Sequence, residues 1–164
     1  MQEDLIKELG YLALASRLKR ISDAMIHSGR AMYQDLGLDI EPNWFLVFKV
    51  LQKHGSLSVT EIAGRLHFSH PSVINIVKKM SAKGYLESSP CPNDGRKQNL
   101  SLSSSAREIL PDLEKVWIAG TFGMEKMLEG RDLLSILDHL EEALQEHSFK
   151  DRTITELQNT LNRN

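Results

Sequence analysis

The chain has 164 residues, 41% apolar and 26% charged, close to the globular average and therefore at odds with wholesale disorder. Its formal net charge of −2 gives no global sign of an anionic partner, and its single cysteine, Cys91, excludes an internal disulfide and suits a reducing compartment. The opening MQEDLIKELG has early acids and no apolar stretch, and no apolar run is longer than the five residues of Trp44 to Phe48, far too short to span a bilayer. The expectation is a soluble, cytoplasmic protein without membrane contact.

Residues 2–34 read as one long helix, with Leu5, Leu9 and Leu12 and then Leu14, Leu18, Ile21 and Met25 at helical spacing. Gly10 and Gly29 weaken it, but no proline interrupts it. The loop LGLDIEP ends on Pro42, which suits the first turn of a second helix over 42–54. Trp44, Phe48 and Leu51 share one side of that helix and Phe45 and Val47 lie close by, so it should be central. Ser58 and Glu61 make a capping box for a short third helix carrying Ile62, Ala63 and Leu66. A fourth helix follows almost at once, with Ser69 as N-cap, Pro71 in its first turn and Gly84 as its stop. Its buried face should be Val73, Ile76, Val77 and Met80. Two short helices joined by about three residues form a helix-turn-helix.

The stretch YLESSP then reads as a strand, CPNDG as a turn and KQNLSLS as a returning strand; Asp94-Gly95 is the hairpin signal. Ser103 is placed to cap another helix that runs to about residue 128, with a kink or late start expected at Pro111. Beyond Gly130, Leu133, Leu137, Leu140 and Leu144 mark a further helix, and Ile154, Leu157 and Leu161 mark a last one. The fold class is therefore mainly α with a small β-hairpin. The outer thirds are amphipathic helices with too little between them to form a compact core. They should pack together and against a second copy, a homodimer, rather than close into a monomeric bundle.

Charge is unevenly placed. Residues 56–108 carry seven Lys or Arg against four acids, whereas residues 109–164 carry six against eleven. Once its buried face is subtracted, the fourth helix presents His70, Pro71, Ser72, Ile74, Asn75, Lys78 and Lys79, and the segment from Ser69 to Lys83 contains no acid. Such a face suits a DNA major groove. Asn pairs bidentately with adenine, Ile touches a thymine methyl, Ser72 bonds phosphate, and Lys78 and Lys79 meet the backbone further along. Arg96 and Lys97 stand beside the hairpin tip, where an Arg can enter a narrow, strongly negative minor groove. Asp94, two residues earlier, would pair with that Arg and fix its direction.

The segment from Leu57 to Glu108 resembles the MarR (multiple antibiotic resistance) regulators. Its D-x-R wing with a spaced L-x-L-[ST] appears as Asp94, Arg96, Leu100, Leu102 and Ser103; the S-x-x-[ST]-V-x-x-apolar-V pattern appears as Ser69, Ser72, Val73, Ile76 and Val77; the K-G-apolar-apolar helix end appears as KGYL. The number and order of flanking helices agree as well. The resemblance implies a single MarR-like domain over 1–164. A winged helix-turn-helix lobe would occupy 42–108, and a helical dimerisation region would occupy 1–35 and 109–164. It also implies a two-fold dimer on double-stranded DNA, a palindromic operator, and repression or activation often relieved by a small molecule. The reading is a repressor with the helix at 69–83 in the major groove and the wing at 86–102 in the minor groove. Ser88 and Ser89 stand where relatives often have Arg, and Gly95 replaces a second wing Arg, so weaker backbone affinity or a more flexible tip is expected. The rival reading is a winged-helix module that binds protein and not DNA.

An effector pocket is expected where the first, second and fifth helices meet the DNA-binding lobe, with Met25, Tyr33, Trp44, Phe45, Phe48 and Trp117 as its candidate lining. Plain core is the alternative for each. No phosphate-binding Gly loop, H-E-x-x-H or G-x-S-x-G pattern occurs, which argues against an enzyme and against a cofactor. His67 and His70 straddle a helix start without a paired Cys or acid, so no metal site is expected. The peroxide-sensing branch of the family carries its reactive cysteine in the first helix, where this chain has none. Cys91 therefore reads as a strand residue without a redox role.

Overall fold

The computed structural model describes residues 3–91 and 94–163, with the backbone alone at 94–97. The chain forms two compact units, Met1–Leu110 and Pro111–Asn164.

In the first unit the expected long first helix is broken. Helix α1 spans Leu5–Glu8, a 3-10 turn Gly10–Ala13, and helix α2 Leu14–Asp35. Gly10 adopts φ +54, outside the helical region, and the continuous ladder ends there. Periodicity survives the break because the 3-10 turn nearly preserves spacing. Asp4 caps α1 through the Lys7 amide, and Arg20 of α2 grips the same carboxylate with two bonds of 3.0 and 3.1 Å. That bidentate guanidinium holds the Asp4 carboxyl below its usual range. Further along α2, Gly29 lets Pro42 approach, since a Cβ at Gly29 would lie 3.3 Å from the proline Cγ.

Pro42–Trp44 form a 3-10 turn leading into helix α3, Phe45–His54. Trp44, Val47, Phe48, Val50 and Leu51 are buried, so α3 is central as its composition demands; Phe45 is exposed. Strand β1, Leu57–Ser58, is too short to announce itself in sequence. Ser58 then serves twice. Its backbone lies in the sheet, while its side chain accepts the Glu61 amide and its own amide donates to Glu61 Oε2 at 2.8 Å. This capping box starts helix α4, Val59–Leu66. Helix α5 covers His70–Ala82 and buries Val73, Ile76, Val77 and Met80, the four residues its periodicity selects. Strands β2, Leu86–Cys91, and β3, Asp94–Leu102, complete an antiparallel sheet of order β1-β3-β2, with Leu57 opposite Leu100 and Leu86 opposite Leu102. The β2–β3 register shifts between Pro90 and Cys91, where proline has no N–H to give the ladder.

Helix α6, Ser104–Leu128, starts where Ser103 caps it and runs on through Pro111, so the expected late start does not occur. Pro111 removes the donor that the Arg107 carbonyl would take, and the division between the units falls at this residue. In the second unit, Glu129 and Gly130 both take positive φ to end α6. Asp132 caps helix α7, Leu133–Glu146, and Ser148 caps helix α8, Phe149–Leu161. Arg152 ties α8 to the end of α7 by bonding the Ala143 carbonyl at 2.7 Å and the His147 carbonyl at 3.2 Å. No described residue of α7 or α8 is buried. Among the described residues no helix is long and apolar enough to cross a membrane.

Candidate nucleic-acid interface

The turn between α4 and α5 is held by unusual backbone. His67 takes the left-handed conformation (φ 51, ψ 34) and returns its amide to the Ala63 carbonyl. A non-glycine residue there costs roughly 1–2 kcal/mol, and nothing in the sequence marks it. Ser69 then opens α5: its Oγ lies 2.7 Å from Ser72 Oγ and accepts the Ser72 amide at 3.4 Å. The two hydroxyls cluster at the positive end of the helix with no acid in its first turn.

Ser69, His70, Ser72, Ile74, Asn75, Lys78 and Lys79 are all exposed. They do not form one undivided face. Opposite the buried stripe, Pro71, Ile74, Asn75 and Lys78 make the outermost strip, and Ile74 keeps 42% of its surface in solvent. On one flank, Ser72, Asn75 and Lys79 turn toward a groove of about 480 Å³ that Asn43, Trp44, His67, Phe68, Ser69 and Ile76 also line. Asn75 borders both. Asn43, His67 and Phe68 escape a reading based on the fourth helix alone, because the first belongs to the turn before α3 and the others to the inter-helix turn. No local signal distinguishes them.

The helix end and the wing stem are joined. Lys83 pairs with Asp39 in the loop before α3, and that carboxylate raises the Lys83 pKa. Tyr85 lies against Trp44 edge-on (centroids 6.0 Å) and Phe48 (5.8 Å); its hydroxyl pKa is raised, first by burial and then by Asp39. Ser103 Oγ donates to the Gly84 carbonyl at 2.7 Å and accepts the Ala106 amide at 3.1 Å, while the Ser103 amide bonds the Tyr85 carbonyl. In the wing, Ser88 donates to Gln98 Oε1 across the two strands at 3.0 Å.

Asp94, Arg96 and Lys97 fall in β3 by their backbone, and their side chains lie outside the described residues, as do Pro92 and Asn93 of the expected turn. Cys91 is half-buried at the end of β2. His54, at the end of α3, approaches Arg65 of α4 (3.5 Å); loss of surrounding water, then Arg65 and Lys53, lowers its pKa. Of the residues expected around an effector, Tyr33, Trp44 and Phe48 are buried, Met25 and Phe45 are exposed, and Trp117 is half-buried in the second unit. Trp44 is the member of that set that lines the groove beside α5. Among the described residues no three His, Cys, Asp or Glu side chains gather as metal ligands.

The model of the MarR family matches residues 38–97. No curated protein matches the chain by sequence. Among solved structures, a MarR protein from Peptoclostridium difficile is 16% identical with a TM-score of 0.69, covering 92% of this chain and 98% of its own. A mutant of MarR from E. coli complexed with operator DNA is 20% identical with a TM-score of 0.62, covering 87% and 99%. BpsR from Bordetella bronchiseptica, whose DNA binding is regulated by 6-hydroxynicotinic acid, is 18% identical with a TM-score of 0.59, covering 79% and 91%. These likenesses are in fold. Residues 38–97, which hold the helix-turn-helix and the first part of the wing, match the model of the MarR family, and the fold around them is similar to that of the winged-helix structures above.

Proposed function

We propose that this protein is a DNA-binding transcription regulator that acts as a dimer on a palindromic operator, with α5 in the major groove and the wing, 86–102, in the minor groove. The lobe at 42–108 contacts DNA in this reading, and 1–35 with 109–164 supply the dimer surface. The observation that carries it is the exposed face of α5, where Ser72, Ile74, Asn75, Lys78 and Lys79 stand together and Ser69 to Lys83 holds no acid. Ordinary solvated helix faces mix Glu with Lys; a face without acids suits a polyanion. Operator DNA in the E. coli neighbour supports the same reading.

Support for the dimer comes from apolar side chains left in water at both ends of the chain. Tyr11 is 93% exposed, Leu12 85% and Phe149 76%, with Phe122, Leu134, Leu157 and Leu161 also exposed. A soluble monomer rarely leaves so many large apolar groups uncovered, and a second copy would cover them. The reading extends to repression relieved by a small molecule, as the regulation of the Bordetella neighbour's DNA binding by 6-hydroxynicotinic acid suggests by analogy. Met25 and Phe45 are the exposed members of the predicted effector set.

Selection of bound fragments from a random DNA pool tests the proposal. The expected product is an inverted repeat with half-sites about one helical turn, roughly 10 bp, apart. No enrichment, together with no salt-dependent binding to random duplex, would overturn it in favour of a protein-binding module.

A further inference from the structure

The groove beside α5 points to a DNA contact from outside the helix-turn-helix. We infer that Asn43, in the turn before α3, is a phosphate-positioning residue, and that one DNA strand lies along this groove while the outer strip of α5 reads base edges. The inference rests on the DNA-binding reading above and deepens it.

Three observations converge. First, Ser72, Asn75 and Lys79 recur at helical spacing along one wall, so a linear ligand running beside α5 meets a hydroxyl, an amide and an ammonium in succession. Second, the same groove is lined by Asn43, His67 and Phe68, with Trp44, Ser69 and Ile76, and no carboxylate lines it. An Asn amide offers two donors, a His ring one or two, and Phe68, 40% exposed, offers an apolar surface. That composition matches a sugar–phosphate strand, whose anionic oxygens alternate with apolar deoxyribose. Third, Asn43 is exposed and stands on a fixed support: Glu41 beside it is held by Arg30 of α2 (2.8 and 3.1 Å), Pro42 packs on Gly29, and Trp44 is buried. A donor on a rigid element holds register better than one on a loose loop.

The consequence is a division of labour. Asn75, bordering both surfaces, stays with the base edges. Asn43, Ser72 and Lys79 set the depth and direction at which α5 enters the groove. Phosphate contacts position a protein without carrying sequence information, so Asn43 should matter equally on every sequence.

The test measures fluorescence anisotropy of the purified full chain on a short random-sequence duplex and on a duplex recovered by selection, across a salt series. Circular dichroism confirms that each variant folds. Asn43→Ala should weaken both duplexes by the same factor, roughly tenfold for one hydrogen bond to an anion, and leave the salt slope unchanged. Asn43→Lys should restore affinity and steepen the slope of log K against log salt by about 0.9, the signature of one more phosphate neutralised. A purely structural role for Asn43 would give no such rescue. The inference fails if Asn43→Ala binds random duplex as tightly as wild type, if its loss depends on sequence, or if Asn43→Lys leaves the slope unchanged. Asn75→Ala, measured alongside, separates the two levels. If it still relaxes base choice while the Asn43 variants are silent, the DNA reading stands and the strand contact falls. If wild type binds neither duplex, both fall.

Discussion

Replacing Ser103 by Ala tests how helix α5 is tied to the wing. Ser103 is 6% exposed and links two neighbours: its Oγ accepts the buried Ala106 amide at 3.1 Å and donates to the Gly84 carbonyl at 2.7 Å. Loss of the cap costs about 1 kcal/mol. Leaving the Ala106 N–H buried without an acceptor brings the total to roughly 1–2 kcal/mol. The Gly84 carbonyl adds little, because Ser105 Oγ also donates to it at 3.0 Å and Gly84 itself is exposed to water. The two serines should therefore differ sharply. Ser105→Ala should cost under about 0.5 kcal/mol, Ser103→Thr should be near neutral because it keeps the acceptor, and the double Ala variant should lose little more than Ser103→Ala. Urea unfolding at fixed protein concentration reads these as shifts of midpoint without change of slope. A loss at Ser103→Ala below about 0.5 kcal/mol, or an equal loss at Ser105→Ala, would refute the account of which group is buried and which can turn to water.

Other outcomes are equally specific. Asn75→Ala should cost about 1–3 kcal/mol on the selected operator and relax choice at one base position, read by competition with single-base variants. Arg96→Ala should weaken binding to all sequences and lower the salt slope by about one contact, read by salt titration. Folding stability should fall as pH drops below the ordinary histidine value of 6.5, because His54 binds its proton less readily in the folded protein than in the unfolded chain. The group is then worth most above pH 6.5, that contribution is lost as pH falls through its folded pKa, and His54→Gln should flatten the dependence seen in urea midpoints.

Much of the fold was readable because its signals are local. The four buried positions of α5 and the capping roles of Ser58, Ser69 and Ser103 all follow from spacing or from a hydroxyl just ahead of a helix. What escaped depends on backbone conformation or on distant partners. The break at Gly10 preserves apolar spacing almost intact, so periodicity runs across it unchanged. Strand β1 has two residues, and its pairing with Leu100 and Asn99 lies some forty positions away. The left-handed His67 looks like any other polar residue in sequence, and Asn43 joins the groove only because the turn before α3 lies beside α5. Exposure was predicted correctly along α5, but its partition between an outer strip and a groove wall required the neighbours.

That partition bears on how a chain with net charge −2 would hold a polyanion. Two of its expected wing arginines are serines, and one of these, Ser88, is bonded to Gln98 and so adds stiffness to the wing stem rather than charge. At the other end of the stem, Ser103 bonds the carbonyl of Gly84, the residue after α5, and Lys83 pairs with Asp39. Tyr85 lies between these two links and packs on Trp44, the neighbour of Asn43. Helix, wing stem and the turn before α3 thus share supports within one unit. In a rigid site, each donor is already in place when the ligand arrives, so less ordering entropy opposes binding. On the proposed function, a wing with few cations is offset by preorganisation. Affinity should then respond more steeply to loosening Ser103 or Asp39 than their distance from the DNA-facing strip of α5 would suggest.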